Sequence, residues 1–251
     1  MIDRNDHDGI AVLQLNHGKA SALDLELLEE TRRQLATIAA SDARAVVITG
    51  TGNIFSAGVD LFRLVEQGAS YVEQFFPAMV DAFHDLFLFP RPVVAAVNGH
   101  AIAGGAIINA AADYRIMAAG NGRIGVPELL VGVPFPALAL EVVRFGVPAQ
   151  HIQELVYTGK TLTPEEALRR GIIDEIVEAS SLLDRALAVA TDLGSRPREA
   201  FRLAKRQLRE PFVARARDLA AADQEALGLW STPKTHERIR AYLNKTVGRK
   251  S

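Results

Sequence analysis

The apolar run PVVAAVN (Pro92–Asn98) leads through Gly99 into HAIAGG (His100–Gly105) and then into the small-residue run AIINAAAD. A short valine-rich run that ends in turn residues is typical of a buried strand. The paired glycines Gly104 and Gly105 predict a helix that begins there. A helix N-terminus presents unpaired N–H groups and partial positive charge. The loop therefore predicts either a site for a negatively charged oxygen or, more simply, tight helix–strand packing.

Strands and helices alternate on both sides of this loop. Upstream, IAVLQL (Ile10–Leu15) and AVVIT (Ala45–Thr49) predict strands, and the apolar spacing after Asp24 predicts an amphipathic helix capped by that aspartate. Downstream, YRIMA (Tyr114–Ala118) predicts another strand. This alternation favours an α/β fold with a largely parallel sheet.

Further elements follow the same rules. We predict helices over 61–66, 72–88, 138–145 and 149–157, a helix that begins at TPEE (163–166), and a last strand over 172–177. From Ser180 onward the sequence predicts helices with breaks at 194–197, Pro211 and Pro233. We therefore divide the chain into a core, residues 1–179, and a C-terminal helical region, residues 180–251.

Length and composition limit the classes of function. The 251 residues, 49% hydrophobic and 23% charged, suit a globular enzyme. A net charge of -2 indicates no nucleic acid and no anionic membrane as partner. No apolar run reaches the roughly 20 residues that span a bilayer, and the N-terminus lacks the pattern of a signal peptide. We expect a cytoplasmic protein.

Side chains that often carry metal or nucleophilic chemistry give no pattern here. The chain has no cysteine, and its six histidines show no metal-ligand spacing. Ser56 does not stand in a G-x-S-x-G nucleophile elbow. We expect no metal site and no serine-hydrolase chemistry.

Several motifs together resemble the crotonase (enoyl-CoA hydratase/isomerase) superfamily over the whole chain. They are KASAL (19–23), IFSAGVDL (54–61), RPVVAAVNG (91–99), AGG (103–105), ADYRIMA (112–118) and TPEEALRRGIIDEIVE (163–178). The resemblance implies a β-β-α spiral with two roughly perpendicular sheets and a C-terminal helical region that supports trimers. It implies acyl-CoA thioester substrates, with coenzyme A a part of the substrate and no separate cofactor. A homotrimer or a dimer of trimers is the assembly it implies.

The resemblance also implies that two backbone N–H groups bind the thioester carbonyl, by position those of Val59 and Gly104. Removing a proton beside a thioester places negative charge on that oxygen, and each preorganised donor stabilises it by roughly 3 kcal/mol. By its side chain alone, Val59 is an apolar loop anchor. The matching substrate-binding positions are Lys19, Ala20, Ala22, Ala57, Gly58, Asp60, Leu61, Ala103, Gly105, Ile107 and Pro127.

Glu128, in GVPE, is the predicted proton shuttle. The hydratases that the chain resembles use two glutamates, but Ile107 occupies the position of the first, and VPFPA (Val133–Ala137) contains no acid. One carboxylate beside an apolar position is the pattern of the 3-enoyl-CoA to 2-enoyl-CoA isomerases. We expect the apolar neighbours to raise the pKa of Glu128. Apart from the resemblance, a glutamate stabilised at a helix start is the simpler interpretation.

The predicted function is therefore an enoyl-CoA isomerase of fatty-acid degradation. The alternatives are a hydratase with a single glutamate, a thioester hydrolase or decarboxylase on the same scaffold, and a non-catalytic acyl-CoA-binding protein. Four cations either meet the phosphates of coenzyme A or lie on solvated faces: Lys19, Arg63, Lys205 and Arg206.

Overall fold

The computed structural model describes residues 1–246, in which nine strands form two sheets. The strands are β1 (Ile2–His7), β2 (Ile10–Leu15), β3 (Ala45–Thr49), β4 (Ile54–Ser56), β5 (Val93–Val97), β6 (His100–Ile102), β7 (Tyr114–Ala118), β8 (Ile124–Gly125) and β9 (Glu175–Val177). The larger sheet has the order β1-β2-β3-β5-β7-β9, and all its neighbours run parallel except β1 and β2. The smaller sheet is parallel, in the order β4-β6-β8. The predicted α/β class is confirmed.

The helices connect the strands and then form the end of the described chain. They are α1 (Leu25–Ala39), α2 (Leu61–Gln67), α3 (Ala69–Phe87), α4 (Gly104–Ala111), α5 (Glu128–Val131), α6 (Ala137–Gly146), α7 (Ala149–Thr158), α8 (Pro164–Arg169), α9 (Leu182–Gly194), α10 (Arg198–Asp218), α11 (Ala220–Trp230) and α12 (Pro233–Thr246). The Asp24 side chain accepts from the Leu27 amide at 2.9 Å, as predicted. Thr163 and Glu166 form the predicted capping box of α8. Among residues 1–246 no helix is both long enough and apolar enough to cross a membrane.

The three short strands of the smaller sheet, β4, β6 and β8, were not predicted. Three further differences have a clear physical cause. Strand β1 was missed because IDRNDH is a mostly exposed edge strand, which shows no apolar alternation. The last strand begins at Glu175 rather than at Ile172, because Ile172 and Ile173 are buried in the core before it. Pro211 does not break α10: the packing of this helix on the core outweighs the loss of one helical hydrogen bond.

The central strands of the larger sheet, β2, β3 and β5, are buried on both faces, as is typical of parallel strands. One face belongs to the main core, together with α1, α3 and α4. The other face is covered by α9, whose Leu182, Ala186 and Val189 pack against β2, β3 and β5. The C-terminal helical region thus supplies part of the core. The boundary between residues 179 and 180 stays a prediction, and residues 247–251 lie outside the described chain.

A buried ionic cluster joins α10 to the core. Asp113 accepts from Lys205 Nζ and from Arg209 Nη2, both at 2.7 Å. Lys205 also donates to the Arg91 carbonyl at 3.0 Å, and Arg209 donates to the carbonyls of Phe87 and Ala111. Burial lowers the pKa of Lys205 to about 8. The prediction that Lys205 meets coenzyme A phosphates or solvent is wrong, because its ammonium group is enclosed and paired.

Candidate active site

Two loops meet at the N-terminus of α4. Parallel pairing of β4 with β6 brings the loop after β4 beside Ala103 and Gly104. A methyl group on Gly58 would lie 2.7 Å from the Ala103 Cβ and 2.9 Å from the Gly104 nitrogen, too close for any side chain. Gly58 also has a φ of 79°, which favours glycine. Glycine at this position therefore lets the two loops touch.

The start of α4 is strained and tightly packed. Ala103 precedes the helix with a φ of 51° and a ψ of -120°. A residue with a side chain in such a sparsely populated region costs about 1–3 kcal/mol, and such residues cluster at functional sites. A methyl group on Gly105 would lie 2.4 Å from the carbonyl oxygen of Ser56. The paired glycines thus do allow close packing, while Gly104 also faces a cavity.

The amides of Val59 and Gly104 are unused donors at that cavity. Neither N–H has a hydrogen-bond acceptor within residues 1–246. The amides beside Val59 are engaged: that of Gly58 donates to Ser56 Oγ at 3.2 Å, and that of Asp60 donates to the Leu23 carbonyl at 2.9 Å. Both free donors border the same space. Two fixed donors at one cavity can stabilise a developing oxyanion.

The cavity has a volume of about 600 Å³ including its open end. It is lined by Ala57, Val59, Leu61, Met79, Phe83, Ile102, Ala103, Gly104, Ile107, Pro127, Glu128, Val131, Val133, Phe135, Pro136, Trp230 and Tyr242. Almost all of these side chains are apolar, and Glu128 is the one carboxylate in the set. This composition is typical of a site for a mainly apolar small molecule.

Glu128 is the first residue of α5 and is 7% exposed. Its Oε2 atom is buried and has no hydrogen-bond partner in the described chain. Burial among apolar groups raises the pKa of this carboxyl to about 8, although a hydrogen bond to its own backbone acts in the other direction. A carboxyl with a pKa near neutral pH and a free oxygen in a cavity is suited to accept and return a proton.

Ile107 and the VPFPA segment make the surroundings of Glu128 apolar. Ile107 lies one turn into α4, is buried, and lines the cavity. From VPFPA, the side chains of Val133, Phe135 and Pro136 line it too. No second acid from residues 1–246 reaches the cavity to fix a water molecule.

The structure brings eight predicted site residues to the cavity and leaves six outside its lining. The eight are Ala57, Val59, Leu61, Ala103, Gly104, Ile107, Pro127 and Glu128, and the six are Lys19, Ala20, Ala22, Gly58, Asp60 and Gly105. Among the six, Ala20 accepts from the Ala57 amide at 3.0 Å, and Asp60 caps α2 by accepting from the Arg63 amide. These residues shape the loops, and their contact with substrate stays a prediction.

Arg63, a candidate for coenzyme A phosphates, is engaged elsewhere. Its guanidinium donates to both carboxylate oxygens of Glu26, at 2.5 and 2.6 Å, and to Asp24 at 3.1 Å. These carboxylates neutralise its charge, so the structure does not support a role in phosphate binding.

Nine lining residues were not among the predicted site residues. Five of them lie in or beside stretches already quoted from the sequence (Ile102, Val131, Val133, Phe135 and Pro136), and four lie far from those stretches: Met79, Phe83, Trp230 and Tyr242. All four lie on helices, where they look like ordinary apolar-face residues, and two come from the C-terminal region. Tyr242 lines the same cavity as Glu128, and burial together with the Glu128 charge raises the pKa of its phenol. Aromatic side chains on predicted helices were the available signal, but sequence gives no means of choosing the face that lines a cavity.

Residues 1–246 contain no cluster of three or more His, Asp or Glu side chains arranged to bind a metal ion.

Comparison with known sequences gives one consistent result. A family model described as enoyl-CoA hydratase/isomerase matches residues 5–247. A short-chain-enoyl-CoA hydratase from Clostridium acetobutylicum is 30% identical over 240 residues, which are 94% of this chain and 92% of that protein. A crotonyl-CoA hydratase from Syntrophomonas wolfei is 30% identical over 243 residues, with the same shares covered.

Comparison with solved structures confirms the fold. Human mitochondrial Δ3-Δ2-enoyl-CoA isomerase matches with a TM-score of 0.94 at 24% identity, over 100% of this chain and 99% of that one. Probable enoyl-CoA hydratase EchA3 from Mycobacterium tuberculosis matches with a TM-score of 0.83 at 29% identity, over 89% and 96%. The expected spiral fold with its C-terminal helical region is therefore present.

Proposed function

The chain belongs to the enoyl-CoA hydratase/isomerase family, and on that premise we propose that it is an enoyl-CoA isomerase, which moves the double bond of a 3-enoyl-CoA from C3 to C2. The observation that carries the proposal is the isolation of Glu128. It is the one carboxylate among the lining residues, its Oε2 is unpartnered, and Ile107 occupies the position of a second acid.

The reaction needs one group that moves a proton and one site that stabilises charge. The Glu128 carboxylate removes a proton from C2, and the electrons of that C–H bond delocalise through C1 onto the thioester oxygen. The N–H groups of Val59 and Gly104 donate to this oxygen while the dienolate exists. Protonated Glu128 then returns its proton at C4, the electrons shift back, and the double bond lies between C2 and C3.

The apolar surroundings favour this reaction over hydration. Adding water to a 2-enoyl-CoA requires a water molecule that is positioned and deprotonated, which in the family's hydratases involves a second glutamate. Ile107 offers no hydrogen bond to such a water, and it helps to exclude water from the dienolate.

Hydration is the second candidate because the two relatives above are named hydratases. One observation favours it: Tyr242 lines the cavity together with Glu128 and brings a hydroxyl group to that lining. A water molecule between the phenol and the carboxylate would have two polar partners.

The test is a parallel assay of 3-hexenoyl-CoA conjugation and crotonyl-CoA hydration, with Glu128→Gln and Tyr242→Phe as variants. We expect conjugation without hydration, a loss of about 10²- to 10⁴-fold in Glu128→Gln, and a much smaller loss in Tyr242→Phe. Strong hydration that disappears in both variants would support the hydratase instead.

Two other outcomes would overturn the proposal. Conjugation at full rate in Glu128→Gln would remove the assigned role of the carboxylate. Binding of the thioester without any turnover would support a non-catalytic acyl-CoA-binding protein, and release of free coenzyme A would indicate a hydrolase.

A further inference from the structure

The catalytic cavity has one open end and one closed end. At the open end Ala57 is exposed, and Val59 and Ala103 are half-buried. At the closed end Met79, Phe83 and Trp230 are each 2% exposed. Since the coenzyme A moiety is too large to be enclosed in this space, it leaves through the open end. The acyl chain then extends from the carbonyl towards Met79, Phe83 and Trp230.

Trp230 is fixed in place at the closed end. Its Nε1 donates to the Pro134 carbonyl at 2.8 Å, and its ring packs edge-on against Phe76, with 5.7 Å between centroids. A second ring, Phe75, lies at 6.5 Å in a stacked arrangement. The Trp230 carbonyl is bonded to His236 Nε2 at 2.9 Å. Because contacts fix both its ring and its backbone, the indole does not change rotamer to admit a longer acyl chain.

We propose that Trp230 sets the length limit of the acyl chain and that the substrates are short, unbranched enoyl-CoA thioesters. This inference rests on the proposed function for the direction in which the substrate lies. Met79 and Phe83, from α3, complete the closed end on the core side. The residue that limits chain length thus comes from α11 of the C-terminal helical region.

Branched chains are excluded for the same reason as long ones. Ile107 and Val133 line the same cavity as the indole, and both are buried in the close-packed core. Interiors at native packing density do not yield to an added methyl group without strain.

The first experiment measures binding by calorimetry of the saturated butyryl-, hexanoyl-, octanoyl- and decanoyl-CoA, which have no double bond to move. For the wild-type protein we expect the affinity to rise about fourfold per added methylene up to a limit. Beyond hexanoyl- or octanoyl-CoA the affinity should stop rising or fall. In Trp230→Ala the affinity should keep rising up to decanoyl-CoA. The ratio of the decanoyl-CoA affinity to the hexanoyl-CoA affinity should be at least ten times the ratio in the wild type.

Two more variants keep the test decisive if Trp230→Ala does not fold. Met79→Ala removes a smaller group from the same closed end and should move the limit in the same direction. Phe87→Leu is the matched control, because Phe87 is a buried ring of the same helix as Met79 whose ring contacts are with Phe145 and Arg209 and which does not line the cavity. It should lower the melting temperature without moving the limit.

The outcomes separate this inference from the proposed reaction. A length limit that moves in Trp230→Ala or Met79→Ala supports the inference even if no isomerase activity is found. An affinity that rises evenly through decanoyl-CoA in the wild type would overturn it, whatever the reaction. So would a shift of the limit in Phe87→Leu as large as that in Trp230→Ala.

Discussion

In the proposed reaction the carboxyl of Glu128 must be ionised to remove a proton, yet its burial opposes ionisation. Its pKa near 8 means that only a minority of molecules carry the carboxylate at neutral pH. We therefore expect kcat/KM for 3-hexenoyl-CoA to rise about tenfold per pH unit in acid and to level off near pH 8. A pH–rate profile measures this directly. A plateau that begins near the ordinary pKa of a glutamate would show that the reacting base is not this buried group.

The same burial makes a prediction about stability. Between pH 4.5 and about 8 the folded protein keeps a proton on Glu128 that the unfolded chain has released. At low pH the carboxyl is neutral in both states and costs the fold nothing. As pH rises through that window the free energy of unfolding falls, by several kcal/mol at most, because the unfolded chain ionises this group and the folded protein does not. Glu128→Gln has no such loss, so it should melt above the wild type at about pH 8.5 but close to it near pH 5. Thermal unfolding at both pH values tests this, and an offset independent of pH would contradict it.

At the scale of elements, the contact between the β4 loop and α4 determines where the two amides lie. Gly58→Ala places a methyl group against Ala103 and Gly104, and we expect it to lower activity by about 10²- to 10³-fold by displacing a donor. Gly52→Ala is the matched control: its φ of 57° is equally unfavourable, but no heavy atom lies within 4 Å. It should cost about 1–2 kcal/mol of stability and leave the rate unchanged. Equal rate losses in the two variants would show that loop strain, not the contact, matters.

Prediction from sequence succeeded where the cause of an element is local. The Asp24 cap and the Thr163 capping box depend on neighbouring residues, and both are confirmed. Prediction failed where a distant contact decides. Pro211 lies within a helix because the rest of that helix packs on the core, and Lys205 is buried because Asp113 lies opposite it.

The candidate site shows the same division. Glu128, Val59, Gly104 and Ile107 stand in motifs, and the structure places them around one cavity. Trp230 reaches that cavity from a helix far along the chain. No local pattern in α11 or α12 indicates which of their faces meets α3 and α5. The position of Trp230 at the cavity therefore could not be predicted from the sequence.

At the scale of the whole molecule, the cluster of Asp113, Lys205 and Arg209 attaches the C-terminal helices to the core, and with them the closed end of the cavity. Asp113→Asn leaves two buried cations without a counter-charge, which typically costs 3–5 kcal/mol. Lys205→Met removes one buried cation and leaves Asp113 paired with Arg209, so we expect a change below about 1.5 kcal/mol. Urea unfolding of the full chain measures both.

The pH dependence of the Asp113→Asn defect follows from Lys205. Burial already lowers the pKa of this ammonium to about 8, and removing the carboxylate lowers it further. The folded variant therefore releases this proton at a pH where the unfolded chain still binds it. The free energy of unfolding of Asp113→Asn should therefore rise with pH. The amount by which it falls short of the wild-type value should be smaller near pH 9 than near pH 6, by more than about 1 kcal/mol. If the difference does not depend on pH, or if Lys205→Met is the more damaging change, the ammonium group is not buried as the structure places it.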